Sequence, residues 1–185
     1  MKLLNISNEG AAYKEQLYAL YEEAFPEQEK KPLQLIERLS AEGKQEMLAM
    51  VDDGEFVGLA INMIGKNRGL LDYYAIAEEK RNGGYGSKGL EVLLKHFEGQ
   101  KYIFEIEIQD EHADNAEDRK RRKAFYLRNG LRETGLFVNV YDTDFEILTP
   151  GGELTFEEYV DFLREILGDK YVKLLNPTLI AEGGR

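Results

Sequence analysis

The stretch Leu70-Leu71-Asp72-Tyr73-Tyr74-Ala75-Ile76-Ala77-Glu78-Glu79-Lys80-Arg81-Asn82-Gly83-Gly84-Tyr85-Gly86-Ser87 decides how this chain is read. Its first part is apolar and aromatic and reads as a strand. A charged link follows, then a glycine-rich turn, then a helix-like segment from Lys88 to Phe97. Glycines permit positive φ and remove the side chains that would hold an anion off the backbone. Successive N–H groups can therefore converge on the anion while the helix dipole adds positive potential. Strand, glycine turn and helix in this order predict a cradle for a phosphorylated ligand.

Working outward, residues 2–7 read as a short strand and Ala11 to Ala24 as a helix, with Leu17, Leu20, Tyr21 and Ala24 at helical spacing and Pro26 as its stop. A second helix is expected from Leu33 to Leu39. Met47 to Val51 and Phe56 to Ile61 flank Asp53-Gly54, the signature of a β-hairpin. Downstream come a strand from Tyr102 to Ile108, a charged helix ending near Asn129, and strands around Leu136 to Tyr141 and Phe145 to Leu148. Thr155 and Glu158 then form a capping box opening a helix to about Leu167. Residues 170–185 read as an appended segment with a disordered Gly183-Gly184-Arg185 end. An antiparallel meander, a βαβ unit and a terminal hairpin imply a mixed sheet of the α/β or α+β class with helices on both faces.

The chain has 185 residues, enough for one domain with a proper core, and no linker-like stretch divides it. Its 24 basic and 35 acidic residues give a formal charge of −11, which argues against nucleic acid and favours cationic partners or simple solubility. There is no cysteine, hence no disulfide, thiol nucleophile or thiolate metal site. No apolar run approaches bilayer length and the N-terminus turns polar too early for a signal peptide, so the expected setting is cytoplasmic, without a membrane partner.

Two patterns overlap in the loop. Gly84-Tyr85-Gly86-Ser87-Lys88-Gly89 spells the dinucleotide fingerprint G-x-G-x-x-G, with Glu105 and Glu107 near the distance expected of a ribose-binding acid. However, the charged link separates the glycines from their strand, and the rest of the chain lacks the repeated βαβ pattern of a dinucleotide domain. Arg81, Gly84 and Gly86 also spell R-x-x-G-x-G, and with this motif the sequence resembles the GNAT N-acetyltransferase superfamily. Ala124-Phe125-Tyr126-Leu127-Arg128-Asn129-Gly130-Leu131 is similar to that family's helix-to-strand segment. Ala24-Phe25-Pro26 with Pro32, Glu105-Ile106-Glu107 and the Arg-rich helix before Phe125 are similar to a bacterial subgroup. The resemblance covers roughly residues 1–150 and is specific over 70–131.

The resemblance implies a central mixed, mostly antiparallel sheet with helices on both faces. It assigns residues 1–150 to an acetyltransferase domain and 151–185 to a helical appendage packed on it. It also implies acetyl-CoA as cosubstrate and direct transfer in a ternary complex to a primary amine of a small acceptor. No metal is expected, and the protein is read as a monomer or homodimer. By the same resemblance, Arg81, Asn82, Gly83, Gly84, Tyr85, Gly86 and Ser87 hold the pyrophosphate, with Lys88 in reach. The main chains of Ala75, Ile76 and Ala77 pair with the pantetheine arm, and the Tyr126 hydroxyl protonates the departing sulfur. Two alternatives stay open: a non-catalytic acyl-CoA-binding or regulatory module, and a dinucleotide-binding protein.

Acyl transfer to an amine also needs a base for the amine proton. Asp72 is the odd residue in an apolar strand, sharing a face with Tyr74 and opposed to Tyr73 and Ala75. Glu105 and Glu107 project from one face of the next strand. Glu107 is the first choice for the base, then Asp72, and these acids with Asp142 suit a cationic acceptor. Arg119, in the run Arg119-Lys120-Arg121-Arg122-Lys123, stands where many family members carry an asparagine that contacts the coenzyme. The run either holds coenzyme phosphates or balances Glu111, Asp114, Glu117 and Asp118 along the helix. Asp110 to Asp114 has metal-ligand residue types but no metal spacing, and His96 reads as a residue complementing a helix C-terminus.

Overall fold

The computed structural model describes residues 1–27 and 29–180, so the expected disorder of Gly183 to Arg185 lies outside the described residues. Two compact units form, one from residues 1–64 and 71–99, the other from residues 65–70 and 100 onward. Among the described residues eight strands and six α-helices make a mixed α/β fold, and the strand pairings given below are antiparallel.

The first unit orders its strands β1 (Lys2–Asn5), β2 (Gln45–Asp52), β3 (Glu55–Ile64) and β4 (Arg68–Ile76, entering this unit at Leu71). Asp53 and Gly54 link β2 to β3 with φ of 50° and 84°, and Asp52 faces Glu55 across the turn. Two successive positive φ values give the twist that antiparallel strands need, which is why Asp-Gly marked the hairpin. Both faces are covered. Met47, Ala49, Val51, Leu59, Ile61 and Tyr73 meet Leu17, Leu20 and Tyr21 of α1 (Lys14–Ala24) and Ile36 of α2 (Leu33–Ala41) in one core. Full burial of each large apolar side chain contributes on the order of 1.5–3 kcal/mol. The opposite face offers Met50 and Tyr74 to Gly89 of α3 (Tyr85–His96), so α3 packs closely against the strands. Phe25 ends α1 in an extended conformation, φ −120° and ψ 139°, as a residue before proline is pushed to do.

In the second unit the order is β5 (Lys101–Glu107), β7 (Thr143–Thr149), β6 (Arg132–Val140) and β8 (Thr178–Ile180). Phe104 lies opposite Leu148 and Ile106 opposite Glu146, and this face receives α4 (Ala116–Arg128) through the ring contact of Phe104 with Tyr126, 5.3 Å between centroids. The alternate residue, Glu105, meets Tyr159 of α5 (Phe156–Leu167) on the other face. The capping box at Thr155 and Glu158 forms as expected.

Three details differ from expectation. The β6–β7 turn takes Tyr141 and Asp142, with φ of 50° and 61°, so Tyr141 leaves the strand and stands exposed. Helix α3 starts at Tyr85 rather than Lys88, because Gly84 supplies the left-handed residue that opens it at φ 77°. Beyond α5, Gly168 at φ 82° breaks the chain into a separate helix α6 (Asp169–Leu175), and β8 pairs with β6 through Val138 and Leu179.

Gly58 permits the close pass of β3 and β4: a Cβ there would run into the Ala75 carbonyl oxygen and lie 2.8 Å from Met50 Cε. Gly58→Ala is therefore expected to cost about 1–3 kcal/mol in urea denaturation, since overpacking must move backbone rather than a flexible side chain. A change below about 0.5 kcal/mol would show that the strands part easily at this point.

Candidate active site

The first unit carries the glycine turn expected to cradle an anion. Ile76 ends β4, a 3-10 turn spans Glu78–Lys80, and the chain reaches α3 through Asn82 at φ 63° and Gly84 at φ 77°. Arg81 Nε donates to the Ile76 carbonyl at 3.1 Å, tying the loop back to the strand end. Lys88 N–H bonds to the Gly84 carbonyl at 3.1 Å. The N–H groups of Tyr85, Gly86 and Ser87 occupy the first helical turn, where no intrahelical acceptor exists, and they point along the positive end of the helix dipole. A side chain at Gly84 would meet nothing of the protein within 4 Å, so the space beside the loop is open to a ligand. The residues thus fit a phosphate group in both backbone geometry and room.

Two contacts seat this loop on the strands. Tyr74 Oη donates to the Gly86 carbonyl at 2.6 Å. Gly89 has no room for a Cβ, which would come within 2.6 Å of Tyr74 Oη and of Met50 Sδ. The third glycine of the literal G-x-G-x-x-G match is therefore explained by helix–strand packing. Tyr74 was not singled out from the sequence; its alternation with Tyr73 was the available signal. At the strand end, Ala77 N–H bonds to the Val57 carbonyl at 3.0 Å. Ile76 O accepts from the Arg81 side chain, so two of the three expected pantetheine-facing residues, Ile76 and Ala77, have a main-chain group bonded within the protein.

Asp72 is only 12% exposed at its side chain and accepts from Lys31 Nζ at 2.8 and 2.7 Å and from Gln45 Nε2 at 2.8 Å. Lys31 comes from the link between α1 and α2. The same link is pinned by Tyr73, whose hydroxyl accepts from Lys31 N–H at 3.0 Å and donates to the Glu29 carbonyl at 2.9 Å. Burial pushes the Tyr73 phenol far up, and the Asp72 charge beside it adds to the effect.

In the second unit Tyr126 is the one buried residue of α4, its ring set edge-on to Phe104 and 5.3 Å from Phe125. Burial pushes its phenol up to about 12, so it holds its proton at neutral pH and stands in the protonated form that a general acid requires. Glu105 accepts from the Tyr159 hydroxyl at 2.5 Å, a buried phenol that burial and the Glu105 charge raise well above the ordinary tyrosine range. Glu107 has different partners: Arg119 Nη2 at 2.8 Å, Asn115 Nδ2 at 3.2 Å and Arg122 Nη1 at 3.5 Å. The two glutamates are thus held by separate helices, α5 and α4.

The basic run is engaged inside the protein. Besides Glu107, Arg119 reaches the Ile108 carbonyl at 3.0 Å and Asn115 Oδ1 at 2.7 Å. Arg121 pairs with Asp118 on the helix surface. Lys123 Nζ lies 2.8 Å from Glu146 and 2.5 Å from Glu133. The i,i+3 partners expected from sequence, Glu117 and Asp118, meet Lys120 and Arg121, while the long-range acids Glu107, Glu133 and Glu146 hold Arg119, Arg122 and Lys123. Glu146 was missed, although a lone acid in Phe145-Glu146-Ile147-Leu148 carries the same signal as Asp72. Asp142 sits exposed at a hairpin tip. His112 N–H bonds Asp110 Oδ1 at 2.9 Å in an exposed turn, and among the described residues no group of three or more His, Cys, Asp or Glu side chains could hold a metal ion. His96 Nε2 donates to the Glu46 carboxylate at 2.9 Å, and that partner raises the imidazole. No helix of the described residues is long and apolar enough to cross a membrane.

The family model of the acetyltransferase (GNAT) family matches residues 14–130. The chain belongs to that family. GNAT membership makes acyl transfer the chemistry to consider. No curated protein matches the sequence. Among solved structures, a protein from Bacteroides thetaiotaomicron assigned to the GNAT family is similar over 91% of this chain and 99% of its own, with a TM-score of 0.75 and 20% identity. An aminoglycoside 6'-N-acetyltransferase complexed with coenzyme A matches over 84% of this chain and 100% of its own, with a TM-score of 0.58 and 18% identity. The ribosomal-protein-S18-alanine N-acetyltransferase of Escherichia coli matches over 84% and 95%, with a TM-score of 0.55 and 18% identity. At these identities the likeness is one of fold.

The raised phenol of Tyr126 has a stability consequence whose sign is fixed. Its folded value, about 12, exceeds the unfolded value of 10, so its contribution is complete below pH 10 and is lost as pH rises through about 12. Tyr126→Phe should therefore lose roughly 2–3 kcal/mol less than the parent over that interval, measured by urea denaturation at matched pH values. Identical pH slopes for the two proteins would show that the phenol is not perturbed by the fold.

Proposed function

We propose that this GNAT protein transfers the acetyl group of acetyl-CoA to a primary amine of a small cationic acceptor, directly and in a ternary complex. The observation that carries the reading is the cradle at Gly84: a left-handed glycine opening a helix whose first-turn N–H groups face open space, tied by Arg81 to the end of β4. Coenzyme A bound to the structurally similar aminoglycoside acetyltransferase supports the choice of cosubstrate. In this reading Arg81 to Ser87 hold the pyrophosphate, with Ala75, Ile76 and Ala77 along the pantetheine arm. The Tyr126 hydroxyl protonates the departing coenzyme A thiolate once the amine has attacked the thioester carbonyl. The amine proton leaves to Asp72, Glu105 or Glu107. Each of these already accepts hydrogen bonds, so uptake exchanges one of them, directly or through water. The surplus of 35 acidic over 24 basic residues favours a cationic acceptor. Residues 151–185 are read as an appendage of the catalytic domain, and the protein as a cytoplasmic monomer or homodimer.

A second reading, a non-catalytic acyl-CoA-binding module, is favoured by one observation. Arg119, at the position where many family members carry asparagine, spends its donors on Glu107, Asn115 and Ile108. Thermal unfolding with acetyl-CoA, coenzyme A and NAD separates the readings when combined with mass-spectrometric detection of acetylated amines from a panel of polyamines, aminosugars and lysine-like compounds. Acetyl-CoA at about 100 times its Kd should stabilise the parent by roughly 2.7 kcal/mol, and Gly84→Asp should abolish the effect. Binding without any acetylated amine selects the second reading, and stabilisation by NAD alone rejects both.

The base is identified by its pH profile. Of Asp72→Asn, Glu105→Gln and Glu107→Gln, the variant lacking the base should lose at least about tenfold in kcat/KM at neutral pH. It should recover as pH approaches the acceptor's own pKa, where the neutral amine forms unaided. A loss that stays constant with pH marks a structural carboxylate instead.

A further inference from the structure

Helix α4 is attached to its sheet in an unusual way. An amphipathic helix normally presents apolar residues at i, i+4 and i+7, and that stripe fixes its rotation. In α4 the stripe facing the sheet is Arg119, Lys123 and Tyr126, and only Tyr126 of the helix is buried. Phe125 is half-buried and Leu127 is 37% exposed, so neither adds a second apolar anchor. A single ring against Phe104 leaves the helix free to roll about its axis and to slide along it.

What removes those freedoms is charge. Glu146 is 2% exposed, opposite Ile106 on β5 and Phe137 on β6, and therefore on the same face of the sheet as Phe104. Lys123 Nζ donates to both of its carboxylate oxygens, at 2.9 and 2.8 Å, and also meets Glu133 at 2.5 Å. Lys123 lies three residues before Tyr126, the spacing that puts two side chains on one face of a helix. A buried ion pair of this kind is a poor source of stability, because removing both charges from water offsets most of their attraction. Its geometry is nevertheless specific, since two oxygens and one ammonium define a fixed point between helix and sheet.

We propose that the buried Glu146–Lys123 pair is a positioning device that sets the rotation and register of α4 and thereby the location of the Tyr126 hydroxyl. Arg119 on Glu107 and the Ile108 carbonyl forms the second fixed point, one turn further toward the N-terminus of the helix. Glu146 and Lys123 act through Tyr126. The catalytic consequence of the pair rests on the acid role proposed for that tyrosine; the structural consequence does not.

The test uses the full chain labelled with 13Cζ-tyrosine, with the Tyr126 resonance assigned by its loss in Tyr126→Phe. The variant is the apolar double replacement Lys123→Met with Glu146→Leu, which removes the fixed point without leaving a buried charge unpaired. Glu146→Gln, which keeps the side-chain shape, carries the same measurement should the double variant fail to fold. The expected result is a folded protein whose Tyr126 phenol titrates at least about one pH unit below the parent, as the ring leaves its buried seat. With it, kcat should fall at least about tenfold while KM for acetyl-CoA stays within about twofold. An unchanged Tyr126 titration overturns the proposal whatever happens to kcat. A lowered titration with kcat unaffected in both the double variant and Tyr126→Phe upholds the positioning role and rejects Tyr126 as the acid.

Discussion

The glycine turn proposed as an anion cradle depends on a side chain that is missing. Gly89 lets the first turns of α3 lie directly on Met50 and Tyr74, and this approach brings the Tyr74 hydroxyl within 2.6 Å of the Gly86 carbonyl. Any Cβ at Gly89 would push the helix off the strands and take its glycine-rich first turn with it. The strand end is held in its own way: Gly58 admits the Ala75 carbonyl, Val57 receives the Ala77 N–H, and Arg81 folds back on Ile76. Three glycines, at 58, 84 and 89, thus do different work, one by conformation and two by close approach.

The two units solve the problem of seating a functional helix by opposite means. For α3 the solution is steric, with buried Leu90 and Leu93 and a glycine pressed against the strands. For α4 it is electrostatic, with arginine and lysine in the stripe that apolar residues would fill. The same choice explains why Glu107 and Arg119, two residues whose roles the family resemblance left open, are found bound to each other. In a helix this polar, with thirteen residues and one of them buried, the charges are placed to set its rotation about the single ring contact of Tyr126 with Phe104.

Much of the fold was legible because local chemistry is strong where it was read. Asp53-Gly54 allows little but a two-residue hairpin, Pro26 forces Phe25 out of the helix, and Thr155 with Glu158 closes its capping box. What escaped reading lacked such signals. Strand β8 has three residues, too few for alternation to register, and the β6–β7 turn uses Tyr141 and Asp142 without a glycine to announce it. Helix α3 was placed three residues late because Tyr85, Gly86 and Ser87 are poor helix formers, whereas Gly84 starts the helix through its backbone angle.

By itself the sequence determined the family, the glycine turn ahead of α3 and the tyrosine at the end of α4, because each is written in residues close together along the chain. Only the tertiary structure decided the partners of the acids. Asp72 met Lys31 and Gln45, Glu105 met Tyr159, Glu107 met Arg119, and Glu146 met Lys123. Those pairs join residues 12 to 54 positions apart, and no periodicity along a chain encodes them. Charge is long-ranged and undirected in sequence, so which cation answers which carboxylate is settled when strands and helices bring them to the same face.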